Sequence, residues 1–95
     1  MPNRNYERGR AREYRSQLLL ETAGYRTIRA SGSHGDFDIV AYSRMGVLFI
    51  QCKLDTPITT MEREQLQLVE LPPGCLKLVH YYRTGVHHPE IITIS

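Results

Sequence analysis

The chain lacks any apolar stretch long enough to span a bilayer, which argues against a helical membrane protein. Its arginine-rich N-terminus is not followed by the apolar segment that a secretory leader requires. The expectation is an untargeted, intracellular protein, cytoplasmic and without a membrane partner. Cysteine is scarce: Cys52 and Cys75 are too few and too far apart for a disulfide framework or a zinc site, and both read as reduced thiols. No repeat, linker or low-complexity segment divides the 95 residues, so 1–95 reads as a single domain. At this size folding removes roughly two thirds of the chain's surface from water, a modest core that a second subunit would help to stabilise. With 41% hydrophobic and 23% charged residues, the composition is that of a globular protein rather than a disordered one.

The net charge of +2 conceals an uneven distribution. Residues 1–30 hold seven arginines (4, 8, 10, 12, 15, 26, 29) against three glutamates (7, 13, 21), whereas residues 31–95 carry five basic and seven acidic side chains. A basic end made wholly of arginine suits phosphate, because guanidinium meets phosphate oxygens in a two-pronged fork. The plainer reading is a solvated helix face kept soluble by charge.

Hydrophobic periodicity predicts seven elements. Residues 5 to about 23 form a helix with Ala11, Tyr14, Leu18, Leu19 and Leu20 on its apolar side and Gly24 as its stop. Residues 25–29 alternate as a strand, and residues 31–35 form a polar loop. Two strands, 37–43 and 47–53, flank Ser43-Arg44-Met45-Gly46, which reads as a tight hairpin turn. A second helix starts at Thr59 or Thr60, shows Met61, Leu66, Val69 and Leu71 on its apolar side, and ends before Pro72-Pro73-Gly74. Leu76–Tyr82 and Ile91–Ile94 complete an α-β-β-β-α-β-β order, an α/β domain with a mixed sheet.

The hairpin carries the chemistry. Alternation puts Gln51 and Lys53 on one strand face and Cys52 on the other, and the hairpin brings Asp38 beside them. An acid, an amide oxygen and a lysine on adjacent strands suit a divalent metal and an activated water, the chemistry that cuts a phosphodiester. Asp38 is the first-choice ligand, with Gln51, the backbone carbonyl of Cys52 and Glu13 on the first helix completing the set. Lys53 would place a positive charge near phosphate or orient the water. Taken singly, each residue has a structural reading: Asp38 caps a turn after Gly35, Glu13 pairs with Arg10 or Gln17, and a strand-end Gln-x-Lys means nothing. His87-His88, His34 and Tyr81-Tyr82 go to solvated loops and strand packing. The joint pattern is what favours chemistry.

That pattern resembles the PD-(D/E)xK nuclease superfamily, and within it the archaeal-type Holliday-junction resolvases. The likeness rests on Gly9-Arg10-Ala11-Arg12-Glu13, Leu18-Leu19-Leu20, Gly24-Tyr25, Arg29, Gly32-Ser33, Asp38-Ile39-Val40-Ala41 and Ile50-Gln51-Cys52-Lys53, over somewhat more than half the chain. It implies a restriction-endonuclease-like mixed sheet flanked by helices. Glu13, Asp38, Gln51 and Lys53 would take the catalytic positions, with Ser33 as a contributing loop serine. Glu7 and Asp36 stand as alternates for Glu13 and Asp38. Two departures are visible: Gln51 stands where resolvases usually carry Glu, removing a charge from the metal site, and Phe37 replaces the name-giving proline.

The resemblance implies a Mg²⁺-dependent (Mn²⁺ substituting) structure-selective endonuclease that resolves four-way DNA junctions by paired nicks as a homodimer. Arg8, Arg10, Arg12, Arg15 and Arg29, with loop residues Ser31, Gly32, Ser33 and His34, would form the DNA contact surface. Two rivals stand beside it: a restriction-like or repair nuclease of the same fold acting on other DNA, and a non-catalytic DNA-binding protein with a degenerate site.

Overall fold

The computed structural model describes residues 4–30 and 35–95, with side chains from residue 10 onward. The elements are α1 (Arg4–Thr22), β1 (Arg26–Arg29), β2 (Ile39–Ser43), β3 (Gly46–Leu54), α2 (Thr60–Leu68), β4 (Cys75–Tyr82) and β5 (Glu90–Ile94). They follow the expected order α-β-β-β-α-β-β and build one mixed sheet with strands in chain order, β1 to β5. β1–β2, β2–β3 and β4–β5 pair antiparallel, while β3 and β4 run parallel. A parallel pair needs a crossover, and α2 supplies it.

Alternation along the strands assigns the two faces. Leu20 of α1 packs on Ile39, Ala41, Ile50 and Leu78, with Tyr25, Leu48 and Cys52 at the margin. Leu66 of α2 packs on Val79 and Ile94, flanked by Phe37, Ile58 and Ile92. Leu78 and Val79 are neighbours in β4, so the two clusters lie on opposite sides of the sheet. The β2–β3 turn is pinned from below: Gly46 has φ +136°, and a β-carbon there would lie 2.6 Å from the Gly74 carbonyl oxygen. Only glycine satisfies both constraints.

Two helical expectations need correction. On α1, Ala11, Tyr14 and Leu18 face outward, Leu18 with 66% of its surface exposed, while Ser16 and Leu20 are buried. The sheet-facing stripe runs through Glu13, Ser16 and Leu20, the three-to-four spacing of one helix side. It contains polar residues because the helix packs over a polar patch. The hydroxyl of Ser16 meets His80 Nδ1 at 2.8 Å, the Tyr82 hydroxyl at 2.7 Å and Cys52 Sγ at 3.6 Å. Ser16, His80 and Tyr82 are fully buried.

On α2, the helix stops at Leu68, before the expected end, and Val69 is already extended (φ −68°, ψ 119°). Pro72 and Pro73 offer no N–H to the Leu68 and Val69 carbonyls, so the helix cannot be continued through them. Of its predicted apolar side only Leu66 is buried, while Met61 is largely exposed. Its start is well fixed by a capping box: the Thr59 hydroxyl accepts from the Glu62 N–H, and a Glu62 oxygen accepts from the Thr59 N–H.

Candidate functional site

Asp38 precedes β2, where its main-chain N–H donates to the Ile50 carbonyl across the hairpin. That bond turns its side chain toward β3, and Oδ2 accepts the Cys52 main-chain N–H at 2.8 Å. Burial raises the Asp38 pKa above the usual carboxylate range, opposed by the Cys52 N–H and by the charge of Lys53. Lys53 therefore lies within electrostatic reach of Asp38, as the hairpin reading requires.

Glu13 approaches from α1. Its Oε1 accepts from Arg29 Nη1 at 3.2 Å, an ion pair with both side chains about one-fifth exposed. The Glu13 pKa is raised by burial first and by the Asp38 charge second, with Arg29 pulling the other way. The Asp38 charge thus reaches Glu13, although twenty-five positions separate them along the chain. Two carboxyls that each resist ionisation gain from a cation between them.

Gln51 sits on the same strand face as Lys53. Its Oε1 is buried and has no hydrogen-bond partner. The residue lines a cavity of about 170 Å³ whose walls are Gly35, Asp36, Gln51, Glu62, Gln65 and Leu66. Asp38 and Glu13 are not among those walls. A buried carbonyl oxygen without a donor is costly, and a cation or a water in the cavity would answer it. Among the described residues no three His, Cys, Asp or Glu side chains converge as a ready-made metal cluster. The oxygen donors present are hard and match Mg²⁺ or Mn²⁺ chemistry better than zinc.

Lys53 has a partner that the sequence reading missed. Its Nζ donates to Glu62 Oε2 at 2.8 Å, so the first turn of α2 reaches back over β3. The Thr59-x-x-Glu62 capping signature marked Glu62 as a helix-start residue, but nothing local announced its contact with Lys53. Asp36, the alternate for Asp38, is exposed and lines the Gln51 cavity instead. Cys52 contributes its main-chain N–H; its thiol, on the α1 side, is pushed up to about 12, first by burial, and is chemically quiet.

The arginines divide. Arg10 is exposed and donates to the Tyr14 hydroxyl at 2.8 Å. Arg12 and Arg15 are half-buried, their guanidinium groups 5.9 and 6.0 Å from the centre of the Tyr82 ring. Arg29 lies over the Tyr14 ring, at 5.2 Å, as well as beside Glu13. The side chain of Arg8 and all of Ser31, Gly32, Ser33 and His34 lie outside the described residues. His87 and His88 are exposed, and Tyr81 and Tyr82 are packed in the sheet.

No family model and no curated protein matches the chain. Its fold is similar to that of Archaeoglobus fulgidus Hjc, a Holliday junction resolvase from an archaeal hyperthermophile. The TM-score is 0.72 at 23% identity, over 92% of this chain and 73% of that one. At this identity the likeness is one of fold, and the fold is the restriction-endonuclease-like mixed sheet flanked by helices. No helix among the described residues is long and apolar enough to cross a membrane.

Proposed function

We propose that the protein is a metal-dependent, structure-selective DNA endonuclease that resolves four-way junctions by paired nicks as a homodimer. The observation that carries this reading is the Asp38 carboxylate, bonded to the Cys52 main chain and within electrostatic reach of both Glu13 from α1 and Lys53 from β3. The fold shared with an archaeal Holliday junction resolvase supports it.

Asp38 and Glu13, with the Cys52 carbonyl, are the groups that would hold Mg²⁺ or Mn²⁺, and Gln51 would join them by turning its oxygen out of its cavity. Such an ion, when bound, lowers the pKa of an attacking water and offsets charge on the scissile phosphate. The chain's own residues do the rest. The Cys52 N–H fixes the orientation of Asp38, and the Lys53 ammonium stands ready for phosphate charge or for orienting the water. Arg29 holds Glu13 in place and presents a second cation to the DNA backbone. Recognition would rest on junction shape and phosphate contacts without base readout, so binding would weaken steeply as salt rises. A four-way junction has approximate two-fold symmetry, which a two-fold dimer with one site per subunit matches.

The test is cleavage of labelled four-way junction, flap, single-stranded and linear duplex DNA with Mg²⁺ or Mn²⁺, with Asp38→Ala and Lys53→Ala as controls. Junction cleavage by the wild type, lost in both variants, is the expected result. Preference for linear duplex would make the protein a restriction-like or repair nuclease. Wild-type cleavage no faster than either variant would leave only a DNA-binding role.

A further inference from the structure

We propose that Glu62 is a positioning residue of this site: it holds the Lys53 ammonium beside the Gln51 cavity and supplies there the negative charge that glutamine at position 51 cannot. The inference rests on the nuclease reading above and assigns a role to a residue outside its four-residue set.

The geometry separates this pair from an ordinary surface ion pair. Exposed lysine–carboxylate pairs gain little, because two flexible side chains must be frozen to make one contact. Glu62 is already frozen. Its Oε1 accepts the Thr59 N–H at 3.1 Å within the capping box, which leaves Oε2 aimed at Lys53 Nζ at 2.8 Å. The side chain of Lys53 is only 19% exposed, so its charge is held at the protein boundary rather than in bulk water. The lysine hydrogen bond is also the main cause lowering the Glu62 pKa, so the carboxylate stays ionised.

The cavity supplies the second strand of the argument. Gln51 and Glu62 are both among its walls, and the Gln51 oxygen is buried without a partner. A carboxylate at position 51 would have placed a negative charge in that space from β3. Here the charge enters the same space from α2, and Lys53 lies two residues from Gln51 on the same strand face. Lys53 is thereby anchored at Glu62, while its charge is still felt by Asp38. An ammonium anchored to a fixed carboxylate keeps one position instead of sampling many.

Glu62→Gln is the decisive variant. Glutamine serves a capping box as well as glutamate does, so the helix start is preserved while the ion pair is lost. The full-length protein is assayed on a four-way junction under single-turnover conditions across a Mg²⁺ titration. Alongside run Asp38→Ala, Gln51→Glu and the double variant Gln51→Glu/Glu62→Gln. Reactivity of Lys53 toward reductive methylation, read by mass spectrometry, reports the pairing independently of cleavage.

The expected result for Glu62→Gln is a cleavage rate lower by about a hundredfold, the scale of a misplaced catalytic group. Junction affinity and thermal midpoint should be unchanged, more Mg²⁺ should be needed and Lys53 should methylate faster. Gln51→Glu in that background should restore the rate. Wild-type rate and methylation in Glu62→Gln, or a folded double variant that recovers nothing, would overturn the inference. If the wild type cuts no better than Asp38→Ala, the nuclease reading fails, and Lys53 methylation alone then decides whether Glu62 holds the lysine.

Discussion

Beneath α1 the hydroxyl of Ser16 is enclosed with three neighbours, His80, Tyr82 and Cys52, whereas beneath α2 the Gln51 oxygen lies against a cavity with nothing to bond. Both faces therefore bury polar atoms, but for different ends. The α1 network joins helix to sheet through the Ser16 hydroxyl, with His80 Nε2 left buried and unpaired at its edge, and Ser16 lies one turn from Glu13 on the same helix side. The α2 face gathers charges, Lys53 and Glu62 with Asp36 nearby, around an opening. A shared hydroxyl hub holds a scaffold in place, whereas an unpaired oxygen at a cavity invites a ligand.

The largest expected effect separates charge from shape at Asp38. The carboxamide that Asp38→Asn introduces can still accept the Cys52 N–H, so this variant should keep the fold. Because burial already raises the Asp38 pKa, the anion is strained in the folded state at neutral pH, and removing it should leave the thermal midpoint equal or higher. Cleavage should drop by about a thousandfold, the equivalent of several kcal/mol of lost charge stabilisation. A rate near wild type would strip the site of its principal ligand and return Asp38 to a turn-capping role.

The α1 face should respond in stability instead. Ser16→Ala deletes the hub and leaves the Tyr82 hydroxyl and His80 Nδ1 buried without it, a loss of about 3 kcal/mol by urea denaturation. His80 also gives this face an acid sensitivity. Burial lowers its pKa from 6.5 to about 4. Between those values the unfolded chain binds a proton that the folded chain refuses, so stability falls as pH drops from 6.5 toward 4. The limit of that loss is about 3 kcal/mol. Its neighbours Cys52 and Tyr82 stay neutral there, because the pKa of each is raised, and the Arg12 and Arg15 guanidinium groups lie over the Tyr82 ring. The raised Asp38 and Glu13 carboxyls slope the other way, so the His80 part is read as the difference from His80→Gln. An unchanged acid slope in that variant would mean His80 is not the group refusing the proton.

What was legible of the candidate site is the placement of the residues local to the hairpin. Asp38 immediately precedes β2, which a short turn joins to the strand that carries Lys53, and alternation alone assigned Gln51 and Lys53 to one face. Helix partners were harder, because periodicity says which residues share a side but not which side faces the sheet. Tyr14 and Leu18 made a plausible apolar stripe on α1, yet the helix turns Ser16 inward because His80 and Tyr82, more than sixty residues away, need its hydroxyl. The same blindness hid Glu62: the capping box fixed its place on α2, while its second oxygen meets a lysine nine residues upstream across a crossover.

The smallest expected effect tests whether the α2 face depends on charge or only on the helix that carries it. Thr59→Ala removes the hydroxyl that accepts the Glu62 N–H, a loss of about 1 kcal/mol for an N-cap. The main-chain N–H of residue 59 survives and still donates to Glu62 Oε1, so the carboxylate keeps the anchor that aims Oε2 at Lys53. Stability should therefore fall slightly while junction cleavage and Lys53 methylation stay at wild-type levels. Glu62→Gln should do the reverse, sparing stability and losing rate. A Thr59→Ala protein that slows as much as Glu62→Gln would show that Lys53 is held by the whole first turn of α2 and not by the charge of Glu62.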